Sequence, residues 1–192
     1  MQTYSLALDI VSGCWLVFVA IWLLAAISTK RTVYRESRTQ RLRYWVLLVT
    51  AYFLLICGRQ LPYPMNLHII PHAAPIAWSA AILCIAGLLL ALWARFILGR
   101  NWSGLVTLKE EHELVERGPY RFVRHPIYTG MLAMFFATAL VQRHLAGFVG
   151  VALMFASFWI KLFLEENLML QQFPRRYAAY RKRTKRIIPF IF

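Results

Sequence analysis

Two short stretches hold most of the residue types able to do chemistry. The first reads EEHELVERGPYRFVRHPIYTG from Glu110 to Gly130; the second reads KLFLEEN from Lys161 to Asn167. His125 stands directly before Pro126, and Pro126 opens an apolar run, so His125 falls on the N-cap side of a helix at a membrane surface. Tyr128 follows one turn later on the same face. A helix N-terminus offers free N–H groups to a carboxylate or phosphate. In the second stretch two adjacent acids, Glu165 and Glu166, stand where an apolar run ends, and an interfacial acid is a functional candidate by default. Plainer readings stay open for each. His125 alone reads as an interfacial capping residue and Tyr128 as part of an aromatic belt. Glu165 reads as a partner for Lys161 four residues earlier, and Glu110, Glu111, Glu113 and Glu116 as a solvated face. No histidine pair has metal-ligand spacing: His68 and His72 are four apart, but the prolines around them oppose a helix.

The elements that must position these groups follow from composition. Of 192 residues, 60% are hydrophobic and 16% charged, with mean hydropathy +0.54. A soluble domain is typically ~45–50% apolar and ~25% charged. A disordered chain and a cytosolic globule are both excluded. The net charge is +14, and the cations are split between apolar blocks, which points to a membrane surface and away from nucleic acid. Cys14, Cys57 and Cys84 all lie within apolar runs and read as small hydrophobes.

Five apolar segments run from about Leu6 to Ile27, Tyr44 to Ile56, Pro75 to Leu98, Pro126 to Val141 and Leu145 to Leu164. A spanning helix needs ~20 apolar residues. The second and fourth segments are short and must borrow residues at their ends or cross a thinned bilayer. The first is no cleavable signal peptide, since it lacks a basic start and carries Asp9. Lysine and arginine fall on alternate connections. Ser28–Arg43 holds six, Gly99–His125 five and Glu165–Phe192 seven; Gly58–Ala74 and Gln142–His144 hold one each. The positive-inside rule places the N-terminus outside and the C-terminus in the cytosol, which requires an odd number of spans. The predicted fold class is all-α: a polytopic membrane bundle of five transmembrane helices with a cytosolic C-terminal region.

Finer features follow. Gln142-Arg143-His144 forces a tight antiparallel hairpin. Small residues at Ala80, Cys84, Gly87, Ala91 and Ala94, and at Gly130, Ala133 and Ala137, mark faces where backbones can approach closely. An acceptor's apolar chain could enter from the bilayer between such faces. Pro62, Pro64 and Pro71 make Gly58–Ala74 an extended, non-helical loop. Phe173-Pro174 ends the fifth helix and starts another, an amphipathic cap carrying Tyr177 and Tyr180. The chain divides into helices one to three over 1–98, with a basic loop at 28–43, and a catalytic region over 99–192. That region comprises a connector at 99–125, a hairpin at 126–164 and a C-terminal segment at 165–192.

The run Arg124-His125-Pro126-Ile127-Tyr128-Thr129-Gly130, with Glu165-Glu166 one hairpin later, resembles the signature of the isoprenylcysteine carboxyl methyltransferase family. The related phospholipid methyltransferases share a version of it. Gly99-Arg100-Asn101-Trp102-Ser103, His112-Glu113-Leu114-Val115 and Gly118-Pro119-Tyr120 support the likeness, which covers about Arg95 to Phe192. The resemblance implies an integral-membrane enzyme with S-adenosylmethionine in a cytosol-facing pocket. It implies that His112, Leu114 and Val115 line the adenosine part. Tyr120, His125, Pro126, Ile127 and Tyr128 would line the ribose and methionine part, and Glu165 would hold the ammonium. His125, Tyr128 and Lys161 are the implied catalytic residues, Lys161 and Glu166 the implied substrate contacts. No metal is implied. Lys161 stands where the family commonly has Arg; it keeps the charge but loses the bidentate fork. Pro174 replaces a common Gly.

The expected reaction is methyl transfer to a lipophilic acceptor, the carboxylate of an isoprenylcysteine-like substrate. Alternatives on the same scaffold are phospholipid or amine N-methylation and thiol methylation. A carboxylate acceptor is already deprotonated and mainly needs desolvation, whereas an amine would need a proton acceptor such as His125 or Glu166. From other classes, a sterol reductase and a non-enzymatic lipid-binding protein remain. The expected partners are the lipid bilayer and a lipophilic small molecule or prenylated substrate that enters from it, with no nucleic acid and no metal.

Overall fold

The structure is a computed structural model that describes residues 2–27, 31–109 and 113–187. Six helices carry the fold: α1 (Gln2–Ala26), α2 (Arg38–Cys57), α3 (Ala74–Leu98), α4 (Pro126–Gln142), α5 (Leu145–Gln172) and α6 (Pro174–Arg183). Two short strands, β1 (Thr32–Arg35) and β2 (Thr107–Lys109), pair antiparallel. The all-α membrane bundle expected from the sequence is the fold observed. Among the described residues α1, α2, α3 and α5 are long and apolar enough to cross a membrane. Helix α4 has 17 residues, at the short end of the spanning range. Its outward residues and those of its neighbours are large and apolar, as lipid contact requires: Leu16 is 73% exposed and Phe96 72%.

Helix α2 does borrow residues. It begins six positions before Tyr44, because Ser37 caps it: the Ser37 hydroxyl accepts from the Gln40 backbone N–H at 3.2 Å while the Gln40 side-chain Oε1 accepts from the Ser37 N–H at 3.1 Å. This reciprocal capping satisfies two orphan donors of the first turn. Helix α5 runs on past Leu164 to Gln172, and Pro174 opens α6 at its first position.

The packing follows side-chain size. Helix α3 lies against α4 along the small-residue faces. A Cβ on Gly87 would sit 2.6 Å from the Gly130 carbonyl oxygen, and one on Gly130 would meet the Gly87 carbonyl and the Ala91 nitrogen. The seam is closed at Gly87 and Gly130, which leaves no room at that point for entry between the small-residue faces. Helix α1 completes this half of the bundle, and Trp15 donates to Thr138 of α4 at 3.0 Å. Helices α2, α4 and α5 form the other half around Ala51, Leu55, Phe135, Met154 and Phe158. Ser157 of α5 donates to the Tyr44 carbonyl at 2.8 Å. Bonds of this kind between membrane helices contribute about 0.6–2 kcal/mol each. Cys14 and Cys84 are buried and Cys57 half-buried; all three are free thiols.

The α4–α5 turn relies on Arg143, whose φ of 67° lets two residues, Arg143 and His144, reverse the chain. The Gly58–Ala74 connection is not wholly extended. It starts with a 3-10 turn at Gly58–Gln60 and then docks on this hairpin, with Ile69 N–H donating to Arg143 O and Leu145 N–H to Leu67 O. His68 and His144 face each other with ring centroids 4.3 Å apart, and His72 stacks on Tyr4. These histidines fasten the loop.

Candidate active site

A cavity of about 450 Å³ opens among α1, α2, α4 and α5 at the C-terminal end of α5. Three connecting segments close it. The first is 101–107, held by β2. Beside it Glu36, just after β1, is buried: its carboxylate accepts from the Val106 N–H at 3.0 Å and from the Tyr44 hydroxyl at 2.5 Å. The second is Gly118–Tyr120. Gly118 has φ +60°, and a Cβ there would lie 3.0 Å from Ile97, so the turn needs glycine to bring Tyr120 under α3. The third is α6, which brings Tyr177 and Tyr180 against Leu114. The Tyr180 hydroxyl donates to the Tyr120 carbonyl at 2.6 Å. Burial raises the pKa of the Tyr120, Tyr177 and Tyr180 phenols well above the ordinary value. All three are neutral hydrogen-bond donors at physiological pH.

The polar end is built by α4 and α5. His125 is the N-cap residue of α4; its N–H donates to Arg186 O at 3.0 Å, and that of Arg124 donates to Lys185 O at 2.8 Å. The Thr129 hydroxyl donates to Ile187 O at 2.7 Å. The segment 184–187 thus laces the start of α4 in place. From α4, the Tyr128 hydroxyl donates to Glu165 Oε1 at 2.7 Å. His125 Nδ1 lies 3.5 Å from Glu165 Oε2, and Nε2 lies 3.5 Å from Glu166 Oε1. Lys161 is 8% exposed; its ammonium donates to Gly104 O at 2.6 Å and stands 3.9 Å from Glu165. The ion pair with Glu165 is real but long, and the ammonium keeps donors to spare.

Of the residues singled out from the sequence, Leu114, Val115, Tyr120, His125, Ile127, Tyr128, Lys161 and Glu165 all line this cavity. Pro126 is buried beside it without lining it. His112 lies outside the described residues, as do Glu110 and Glu111. Glu166 turns away from the cavity: Arg124 Nε donates to it at 2.8 Å, and Arg186 and Arg181 stand at 3.4 and 3.7 Å. Glu113 is exposed at the cavity rim, as a solvated face requires, whereas Glu116 is half-buried and pairs with Arg176 and Arg183.

A model of the phospholipid methyltransferase family matches residues 76–176. The chain belongs to that family. Among curated proteins it is 29% identical over 110 residues to protein-S-isoprenylcysteine O-methyltransferase B of Arabidopsis thaliana, covering 56% of each chain. It is also 29% identical over 129 residues to protein-S-isoprenylcysteine O-methyltransferase of Tribolium castaneum, covering 63% of this chain and 45% of that one. The chain thus spans about half the length of these relatives. Among solved structures it matches the eukaryotic intramembrane Ras methyltransferase, isoprenylcysteine carboxyl methyltransferase. The TM-score is 0.55 at 24% identity, over 83% of this chain and 55% of that one, a likeness of fold.

The family match takes in α3, α4, α5 and the start of α6, and so every cavity residue from Asn101 to Tyr128, with Lys161 and Glu165. Several walls lie outside it. Phe18 and Trp22 of α1 and Leu48 and Tyr52 of α2 line the apolar end, and Tyr180 closes the polar end. Sequence reasoning missed Arg124 as a structural hub, Glu36 as the clamp on 101–107, and the four apolar residues of α1 and α2. An acid within a basic connector is the signal that could have found Glu36.

Proposed function

We propose that this chain is an integral-membrane methyltransferase that uses S-adenosylmethionine and methylates a lipophilic acceptor, the carboxylate of an isoprenylcysteine-like molecule. One observation carries the reading: a single cavity has a charged, hydrogen-bonding end and an aromatic and aliphatic end. At the polar end, Asn101 Oδ1, Thr107 Oγ1 and His125 Nε2 are buried with no hydrogen-bond partner among the described residues, and all three residues line the cavity. Orphaned polar atoms in a lined cavity fit a polar ligand that would satisfy them. At the other end Phe18, Trp22, Leu48, Tyr52, Met131 and Phe158 fit a hydrocarbon chain.

S-adenosylmethionine would supply an electrophilic methyl group on a sulfonium. Glu165 would hold its ammonium, oriented by the Tyr128 hydroxyl, and a charge-assisted bond of this type is short and directional. Leu114, Val115 and Tyr120 would pack its flat ring system, with His125, Pro126 and Ile127 beside them. His112, outside the described residues, belongs to the same set. Lys161 would face the acceptor's carboxylate with the donors that Gly104 leaves free. The same aromatic walls exclude water, which an already ionised carboxylate chiefly requires in order to react. The catalytic assignments to His125, Tyr128 and Lys161 rest on this arrangement; Glu166 serves Arg124 more directly than it serves an acceptor.

A second reading is favoured by one atom. His125 Nε2, buried without a hydrogen bond among the described residues and 3.5 Å from Glu166 Oε1, could take up a proton beside that carboxylate. An amine acceptor such as a phospholipid headgroup would need that. In either case we place the N-terminus outside, and the C-terminus and cavity on the cytosolic side, from the distribution of Lys and Arg. The division into 1–98 and 99–192 is then one of chemistry, with the first part lending the cavity its apolar wall. The test is methylation by the purified chain, with labelled S-adenosylmethionine, of a farnesylated cysteine acid and of phosphatidylethanolamine in parallel. Label in the first supports carboxylate methylation, label in the second the amine reading. Label in neither, with no cofactor binding by calorimetry, overturns both.

A further inference from the structure

A second cleft of about 610 Å³ lies where the end of α5, the outer face of α6 and the segment 184–186 meet. It shares Arg124 alone with the cavity described above. Arg124, Arg181, Lys182, Arg183, Lys185 and Arg186 line it. Among the described residues two carboxylates pair with four of these six cations. Glu166, buried at the inner side, is shared by Arg124, Arg186 and Arg181. Glu116 holds Arg183 and also Arg176 outside the cleft. Lys182 and Lys185 are exposed and have no acidic partner among the described residues. Cations gathered at this density repel one another unless an anion joins them. Guanidinium and ammonium donors at one concave site suit phosphate oxygens.

The surroundings decide the source of the phosphate. The Arg186 guanidinium lies 5.0 Å from the Trp159 ring and 4.5 Å from the Phe163 ring. These rings continue a stripe on α5 with Phe155, at successive centroid distances of 5.8 and 5.3 Å. Phe155 and Phe163 face outward, 39% and 42% exposed. The cleft is therefore continuous with a lipid-facing aromatic stripe. We propose that it binds the phosphate headgroup of an anionic phospholipid from the adjoining leaflet, with the acyl chains lying along Phe163, Trp159 and Phe155. A soluble phosphate would gain nothing from that stripe. The occupant would touch segment 184–186, whose carbonyls hold the Arg124 and His125 N–H groups. The site does not depend on what the cavity methylates.

The test is thermal unfolding of the delipidated full chain in neutral detergent, titrated separately with phosphatidylglycerol, phosphatidylcholine and inorganic phosphate. Phosphatidylglycerol should raise the midpoint and the other two should not. Near a membrane surface each lysine contributes on the order of 1 kcal/mol toward anionic lipid, so Lys182→Gln with Lys185→Gln should weaken the response roughly thirtyfold in lipid concentration. Both side chains are exposed, so the double variant should fold. Arg175→Gln, an exposed α6 cation outside the cleft, should respond like the unaltered protein. Equal responses to the two lipids, a phosphate response matching that of phosphatidylglycerol, or an unchanged double variant would each overturn the proposal.

Discussion

The two sides of α4 are built on opposite plans. Toward α3 it presents Gly130, Ala133 and Ala137, and the helices meet backbone to backbone with no room for a Cβ at Gly87 or Gly130. Toward α2 and α5 it presents Tyr128 and Met131, large side chains that hold the neighbouring helices apart and leave a cavity between them. Close approach of backbones and space for a ligand are thus mutually exclusive outcomes of side-chain size. Small residues at helical spacing mark where this bundle is sealed. Aromatic residues contributed singly by several helices mark where it is open.

The largest effect expected from breaking this contrast is on the sealed side. Gly130→Leu would drive a side chain into the Gly87 carbonyl and the Ala91 backbone, and neither can yield without parting α3 from α4. The expected cost is about 3 kcal/mol or more, the upper range for overpacking. Thermal unfolding in detergent should show a large fall in midpoint or no folded protein. A midpoint close to that of the unaltered chain would mean that the seam is looser than its geometry implies.

On the open side the effects should appear in binding. Glu165→Gln should cost about 3 kcal/mol of S-adenosylmethionine affinity, the low end for breaking a buried charge pair, because the Glu165 side chain keeps 23% exposure. Calorimetry should then show a Kd raised by roughly a hundredfold with little change in folding. Unchanged affinity would return Glu165 to being the partner of Lys161 and Tyr128. Lys161→Ala should leave cofactor affinity nearly intact. It should lower kcat/KM for a carboxylate acceptor by about 2 kcal/mol, within the range for hydrogen bonds to charged groups. An initial-rate assay in which the variant matched the unaltered chain would favour the amine acceptor.

Much of this was readable beforehand, for reasons that differ by element. The five apolar helices are legible because lipid demands an apolar exterior over a fixed length. The break at Phe173-Pro174 is legible because proline cannot continue a helix but suits its start. Tyr128 and His125, three residues apart, and Lys161 and Glu165, four apart, share a helix face by construction. What stayed hidden depends on long-range pairing. Glu36 meets Val106 across 70 positions, and nothing local in either connector announces β1 and β2. Glu165 and Glu166 are neighbours in sequence, but about 100° of helical rotation sends one to the cavity and the other to the arginines. Which goes where is decided by the position of α6 and of segment 184–187, which no spacing rule supplies.

The smallest effect, and the sharpest test of the contrast, comes from exchanging the same residue type on the two sides. Leu48 of α2 is half-buried at the apolar end of the cavity, and Leu88 of α3 is buried in the core of α1, α3 and α4. Leu88→Ala removes a packed side chain and should cost about 2–3 kcal/mol of stability with no effect on which acceptor is chosen. Leu48→Ala removes a wall that already faces open space. Little new void is created, and about 1 kcal/mol of stability should be lost, below the range for a packed core leucine. Its effect should fall on the acceptor: lengthening the apolar end should improve kcat/KM for a geranylgeranyl over a farnesyl cysteine acid by about fivefold, equivalent to roughly 1 kcal/mol, the low end for a methylene-scale change in an apolar pocket. The measurement is the ratio of initial rates on the two acids for both variants. A ratio altered equally by Leu88→Ala, or unaltered by Leu48→Ala, would mean that the chain of the acceptor does not lie between α1 and α2, and that the open side of α4 holds only the cofactor.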